Sequence, residues 1–399
     1  MDQIWETIKQ FCLESGIAGF FAEGGWKNLI MMALACVLLF LAIKKQFEPY
    51  LLLPIAFGML LVNIPYAGKE LFVKTTDEIT GEISYSGLLG YLYYGVKWGI
   101  YPCLIFLCIG ATTDFGPLIA NKKTMLLGAA AQVGIFVTFI GAIIIGKNGF
   151  GWTDWGPEVA SSIGIIGGAD GPTAILVTTK LAPEYLGSIA IVAYSYMALV
   201  PVIQPPIIRL LTTKKERMIK MEQTRPVSKR EKILFPIIVT MIVVLIVPSC
   251  ASLIGCLMLG NLIKESGVVP KITETLANSL MYIITILLGT CVGATATAET
   301  FLTADTLFIF VLGIIAFSFS TAAGVLGGKV MCWATHGKVN PMIGAAGVSA
   351  VPMAARVVQK EGQKEDPTNF LLMHAMGPNV AGVIGSAVAA GVLLLLFAK

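Results

Sequence analysis

The most chemically demanding residue in this chain is a carboxylate, Asp170. It lies in Ser161-Ser162-Ile163-Gly164-Ile165-Ile166-Gly167-Gly168-Ala169-Asp170-Gly171-Pro172-Thr173, a stretch set between long apolar runs. An ionised carboxylate inside hydrocarbon costs about 3 kcal/mol by insertion scales, so it needs a partner for at least part of its working cycle. Two partners are available on paper. One is Arg356, which would make a structural ion pair. The other is a small cation that prefers oxygen donors, sodium above all, held by the carboxylate, the hydroxyls of Thr173 and Ser349, and backbone carbonyls freed where a helix breaks. Asn340 offers an amide oxygen that adds a ligand without adding charge, and Gly344 lets backbone approach closely. Asn379, after Gly377-Pro378, is a second neutral ligand candidate or a plain helix break. Tyr196 reads either as a packed or interfacial ring or as a proton donor beside the cation. Arg356 reads as a side chain snorkelling to the inner surface or as a clamp for an anionic group.

These residues must be held by membrane helices. The chain has 399 residues, 56% hydrophobic and 13% charged, which excludes a soluble domain. Runs long enough for about 30 Å of hydrocarbon occur near 28–43, 50–65, 88–110, 124–146, 186–211, 233–248, 250–263, 276–292, 306–326 and 369–397, so about ten transmembrane helices are expected in an all-α polytopic membrane protein. Residues 1–26 interleave charges with Trp5, Phe11, Phe20 and Phe21 and read as an interfacial helix. The 28 basic and 24 acidic residues form no face suited to phosphates, so nucleic acid is not expected as a partner. Eight isolated cysteines and two histidines disfavour a zinc site, a disulfide framework and a Ser/His/Asp triad.

Basic loops set the orientation. Lys214 to Lys232 carries eight basic residues against three acidic ones, and with Lys44, Lys45, Lys122 and Lys123 it belongs on the cytoplasmic side. It reads as a solvated loop or as a dock for an acidic partner. Tyr66 to Gly87, with Glu70, Asp77, Glu78 and Glu82, belongs outside. A full crossing by residues 159–180 would break this pattern, whereas a re-entrant segment preserves it; four glycines and a proline in 13 residues suit such a break. Two internal repeats follow. Cys108-Ile109-Gly110-Ala111-Thr112 recurs as Cys291-Val292-Gly293-Ala294-Thr295. At an offset of 180, Ile163, Gly164, Gly167, Pro172, Ala174, Val177 and Lys180 match Ile343, Gly344, Gly347, Pro352, Ala354, Val357 and Lys360. The expected topology inverts the second repeat relative to the first, bringing two broken segments together near the bilayer midplane. The expected halves are 27–211 and 233–399, joined by the basic loop 212–232.

Gly167 to Thr173, Tyr194-Ser195-Tyr196 with Gln204-Pro205-Pro206, Val339 to Ala350 through Arg356, and Met376-Gly377-Pro378-Asn379-Val380-Ala381-Gly382 follow one order across nearly the whole chain. In these motifs the chain resembles the beta subunit of sodium-pumping, biotin-dependent decarboxylases. The resemblance implies a subunit of a bacterial inner membrane complex that decarboxylates carboxybiotin delivered by a biotin-carrier subunit and exports Na+. It further implies a carboxyltransferase subunit, a small membrane-anchor subunit and a homo-oligomer within that complex. It implies that Asp170 binds Na+, that Asn340, Gly344 and Ser349 help form the site, that Tyr196 handles Na+ and a proton, and that Arg356 lies on the functional path, facing the carboxybiotin. Rival readings are a Na+/H+ antiporter or Na+-coupled anion transporter without chemistry, and a passive anchor for enzyme subunits. The parent acid is expected to be chosen by another subunit.

Overall fold

A computed structural model describes residues 2–22, 24–46, 48–76, 83–147 and 155–398. Each of the ten apolar segments carries helix. Five helices are long and apolar enough to span a bilayer alone, Gly25–Lys44, Thr124–Gly146, Pro270–Ala294, Ala304–Ala334 and Leu372–Phe397, and two bent pairs raise the number to seven. The chain is therefore a mainly helical membrane protein. Outward-facing Leu126, Leu245, Ile246 and Leu307 are each at least two-thirds exposed, a lipid-facing pattern rather than one for water.

One expectation is corrected. The fold is not wholly α, because Val73–Thr76 and Ile83–Ser86 pair antiparallel with Val73 opposite Ser86. Alternating β-branched and aromatic residues at Val73, Thr75, Ile83 and Tyr85 favour a pleated ribbon over a helix. Asp77, Glu78 and Glu82, expected in the outer acidic loop, lie outside the described residues, as does Glu23.

The C-x-G-A-T repeat has a packing reason. A Cβ on Gly110 would stand 1.9 Å from Leu257 O, and one on Gly293 would stand 2.0 Å from Ile55 O. Their partner helices answer with glycine as well: a Cβ on Gly260 would stand 1.9 Å from Leu107 O, and one on Gly58 would stand 2.3 Å from Thr290 O. Thus Ile100–Thr112 crosses Ala251–Ser266, and Met281–Ala294 crosses Pro49–Val62, each through backbones in direct contact. A side-chain amide locks the end of each crossing: Asn261 donates to Gly110 O and Thr113 O, and Asn63 donates to Ala296 O.

Two broken elements complete the interior. In the first hairpin, Pro157–Gly164 packs against Gly171–Leu181 across a tight 3-10 turn, Ile165–Gly168. In the second, the 3-10 segment Pro341–Gly347 packs against Met353–Glu365. Both lean on the 31-residue helix Ala304–Ala334, about 46 Å long at 1.5 Å per residue. The base of the first hairpin binds near one end of that helix, where Tyr185 donates to Asp305 Oδ2 at 3.0 Å. The base of the second belongs to the other end, through a segment whose Glu216 pairs with Lys329 at 3.5 Å. Their tips meet the helix near its middle, where Ser320 donates to Gly167 O at 2.7 Å and Gly324 abuts Gly344.

Candidate functional site

Asp170 owes its position to the backbone around it. Ala169 adopts the left-handed region at φ 51°, and Asp170 then turns extended to cap the Gly171–Leu181 helix. Its Oδ1 accepts from Thr173 N at 3.4 Å, placing a negative group at a positive helix end. Oδ2 accepts from two hydroxyls, Ser386 Oγ at 2.7 Å and Ser349 Oγ at 3.5 Å. Ser349 N also donates to Gly168 O at 3.0 Å, so the two hairpin tips touch through backbone. Asp170 is 5% exposed and forms no ion pair among the described residues. The structural pair with Arg356 is therefore not made in this conformation. Arg356 is exposed on Met353–Glu365, whose ion pairs run instead through Glu361 with Arg209 and Glu365 with Arg217.

The structure brings together only part of the expected set. Thr173 is fully buried beside Asp170. Asn379 donates through Nδ2 to Ala346 O and Val348 O, both at 2.9 Å, and its buried Oδ1 has no hydrogen-bond partner among the described residues. Asn340 sits elsewhere. Its Nδ2 donates to Arg217 O at 3.0 Å and Ile219 O at 2.9 Å, while its Oδ1 accepts from Met342 N. Asn369 donates to the same two carbonyls. The expectation that an asparagine of the second hairpin faces the aspartate is thus corrected: Ser349 does so, because Asn340 caps the hairpin's base and pins residues 217–219 across it. The basic segment is correspondingly not a freely solvated loop. Lys220 pairs with Asp366 at 2.9 Å, and Arg225 donates to Ile119 O at 3.2 Å.

Gly344 is a packing residue here. A Cβ on it would stand 1.9 Å from Gly324 O, and one on Gly324 would stand 2.2 Å from Gly344 O. The freed carbonyls expected to await a cation are also largely taken in the second hairpin, by side-chain amides from three other elements. Tyr196 donates to Phe310 O and lies edge-on to Phe310, facing Ala304–Ala334 rather than the Asp170 cap. Its neighbour Tyr194 takes that place: its ring covers Gly171, where a Cβ would approach to 2.1 Å, and its buried hydroxyl has no hydrogen-bond partner among the described residues.

A cavity of about 370 Å³ reaches from Asp170 and Ser349 past Val351 to Thr112, Thr113 and Asp114. Asp114 at its mouth accepts from Gly116 N at 2.9 Å and Lys232 Nζ at 3.1 Å. Burial works against the Asp114 charge, but the Gly116 N–H and the Lys232 and Lys264 ammoniums outweigh it and hold the carboxyl below its usual range.

The family model described as the Na+-transporting oxaloacetate decarboxylase beta subunit matches residues 27–397. This chain belongs to that family. It is 59% identical over 381 residues to the methylmalonyl-CoA decarboxylase subunit beta of Propionigenium modestum, covering 93% of this chain and 95% of the relative. It is 53% identical over 396 residues to the glutaconyl-CoA decarboxylase subunit beta of Acidaminococcus fermentans, covering 99% of each. To the oxaloacetate decarboxylase beta chain of Klebsiella pneumoniae it is 51% identical over 413 residues, covering 93% and 95%. Membership in this sodium-transporting decarboxylase family favours the decarboxylase reading over an antiporter or an anion transporter without chemistry.

Ser386 and Tyr194 are the residues around Asp170 that sequence reasoning missed. Ser386 lies seven residues after Asn379, two helical turns along one face, which is the signal that points to it. Ser386→Ala removes the shorter hydroxyl bond to Asp170 and leaves Ser349 in place. It is expected to weaken half-maximal activation by Na+ by about tenfold, at about 1.4 kcal/mol for one bond to a charged group. A Na+ titration of turnover measures this, and an unchanged midpoint would show Ser386 to be packing only.

Proposed function

We propose that this chain is the membrane subunit in which decarboxylation of carboxybiotin drives Na+ export. One observation carries the reading: a buried carboxylate, held by two hydroxyls where the tips of two broken hairpins meet, in a chain of the Na+-transporting decarboxylase family. Asp170, Ser349 and Ser386, together with Thr173 and Asn379, form the sodium site. Asn340 and Gly344 serve it from behind, by fixing the second hairpin's base and its seat on Ala304–Ala334. Tyr196 holds Ala304–Ala334 against the Leu186–Leu211 helix.

The ten-crossing, inverted-repeat topology is supported by the opposite approach of the hairpins to Ala304–Ala334 and by the reciprocal glycine crossings. Contact of Arg225 with Ile119 and of Lys232 with Asp114 puts the basic loop and the Lys122 turn at one end, the cytoplasmic one on a positive-inside reading. The 370 Å³ cavity then opens inward. Its size is that of a small-ligand site, and Lys232 and Lys264 at its mouth suit a carboxylate. Carboxybiotin, brought by a carrier subunit, supplies the carboxylate that leaves as carbon dioxide and takes up one proton in doing so. Asp170 provides the link: the same oxygens hold Na+ when ionised and a proton when neutral, so the two exchange at one place. Arg356 lies on the inward path as an exposed cation for the arriving group. Relatives named for three different acids match over 95–99% of their lengths at 51–59% identity, which suits a subunit that never meets the parent acid. The partners on this reading are the biotin carrier, a carboxyltransferase and a small anchor subunit, in a bacterial inner membrane.

The test is the assembled complex in sealed vesicles, supplied with carboxylated carrier. Carbon dioxide release and ²²Na movement are expected to require each other. Equal release in potassium and sodium media would overturn the coupling.

A further inference from the structure

Four consecutive carbonyls of the second hairpin are held by three buried carboxamides. Gln204 Nε2 donates to Ala345 O at 3.0 Å, Asn379 Nδ2 to Ala346 O and Val348 O at 2.9 Å, and Gln132 Nε2 to Gly347 O at 3.3 Å. In all three the amide oxygen is buried and has no hydrogen-bond partner among the described residues. None of these amides can be turned over without facing carbonyl to carbonyl, so the direction of each oxygen is set by the hairpin backbone.

Gln132 is the one whose oxygen has a located neighbourhood. It sits where Thr124–Ala131 meets Val133–Lys147, is 5% exposed, and also donates to Gly382 O of the C-terminal helix at 3.3 Å. Its Oε1 lies 3.4 Å from the point where a Cβ on Gly168 would stand, and Ser386 Cβ is 3.3 Å from that same point. Gly168 O is the acceptor for Ser349 N, and Ser386 Oγ is the hydroxyl on Asp170. The orphaned oxygen and Ser386, whose hydroxyl donates to Asp170, therefore face the same side of Gly168, with Ile135 Cδ1 beside them.

We propose that Gln132 is an oxygen ligand of the sodium ion held by Asp170, an inference that rests on the sodium-site reading above. A monovalent cation is neutralised by one carboxylate, and a further ligand is best supplied by a neutral oxygen that adds no charge. A cation also gives this buried oxygen the partner it lacks. Because the other end of the same amide holds Gly347 O and Gly382 O, ligation ties the ion directly to the second hairpin and the C-terminal helix.

The full chain in detergent, titrated with Na+ against K+ at constant ionic strength, reports binding as a rise in unfolding midpoint. Gln132→Met conserves volume and removes the oxygen. It is expected to raise the half-maximal Na+ concentration about tenfold or more, whereas a shift below about twofold overturns the proposal. Gln132→Glu keeps an oxygen and loses the N–H donors, so it decides the matter if the methionine variant does not fold. Stabilisation by Na+ within about threefold of the parent supports ligation, and a loss of about tenfold shows that the donors alone matter. Asp170→Asn separates the two layers. If it abolishes Na+ stabilisation while Gln132→Met leaves it intact, only Gln132 is excluded; if Na+ stabilisation survives in Asp170→Asn, the sodium site itself fails.

Discussion

Asp170→Asn is expected to abolish Na+-dependent turnover and Na+ binding together, while the protein still folds. The substitution conserves shape, and its carbonyl oxygen can still accept from Ser386 or Ser349, whose hydroxyls rotate freely. What disappears is the negative charge at the meeting of the tips. A buried charge lost opposite a cation is worth about 3 kcal/mol or more, so the affinity for Na+ should fall by about two orders of magnitude. Without Na+, the variant should unfold no earlier than the parent, because a neutral amide is cheaper to bury than a carboxylate. Release of carbon dioxide across a Na+ titration, paired with unfolding in Na+ and in K+, tests both halves. Full sodium-coupled activity in the variant would remove the carboxylate from the centre of the mechanism.

The second large effect belongs to a residue with no functional group. Gly344→Ala would place a methyl group 1.9 Å from Gly324 O, inside any allowed contact, with backbone on both sides. Neither partner is a flexible side-chain end, so the second hairpin must move off Ala304–Ala334. Overpacking of this severity is expected to cost about 3 kcal/mol, at the upper end for a buried methyl group. Displacing the hairpin would also carry Ser349 away from Asp170 and Gly168. Turnover should therefore fall more than stability alone explains. Gly141→Ala is the matched control: nothing stands within 4 Å of its Cβ position, so it should be neutral or slightly stabilising. Unfolding midpoints of the two variants, read beside their Na+ dependence, check the contrast. Equal midpoints would mean that the glycine contact yields without cost.

Much of this was legible without coordinates because hydrocarbon is an unforgiving solvent. A carboxylate amid glycines and a proline can persist there only in a break lined by protein or water, so Asp170 and the shape around it follow from residue types alone. The apolar segments and the glycines of the two C-x-G-A-T stretches are likewise properties of local composition and order. The repeated glycines announce a close approach, though not against which helix. Partner choice was not legible. Asn340 and Asn379 read alike as neutral ligands, yet one pins a loop at the hairpin base while the other grips the tip, since an amide's role depends on which carbonyl lies within 3 Å. Tyr194 and Tyr196 differ by two positions, about 200° around a helix, so only packing decided which ring covers the Asp170 cap. Gln132 carries no local mark, and the spacing of Ser386 from Asn379 names a helix face without saying that Asp170 lies against it. The sequence by itself determined that a charge must be sheltered in the membrane at Asp170; the tertiary structure alone decided which oxygens shelter it, because side chains more than 200 residues apart can be brought within bonding distance only by the packing of whole helices.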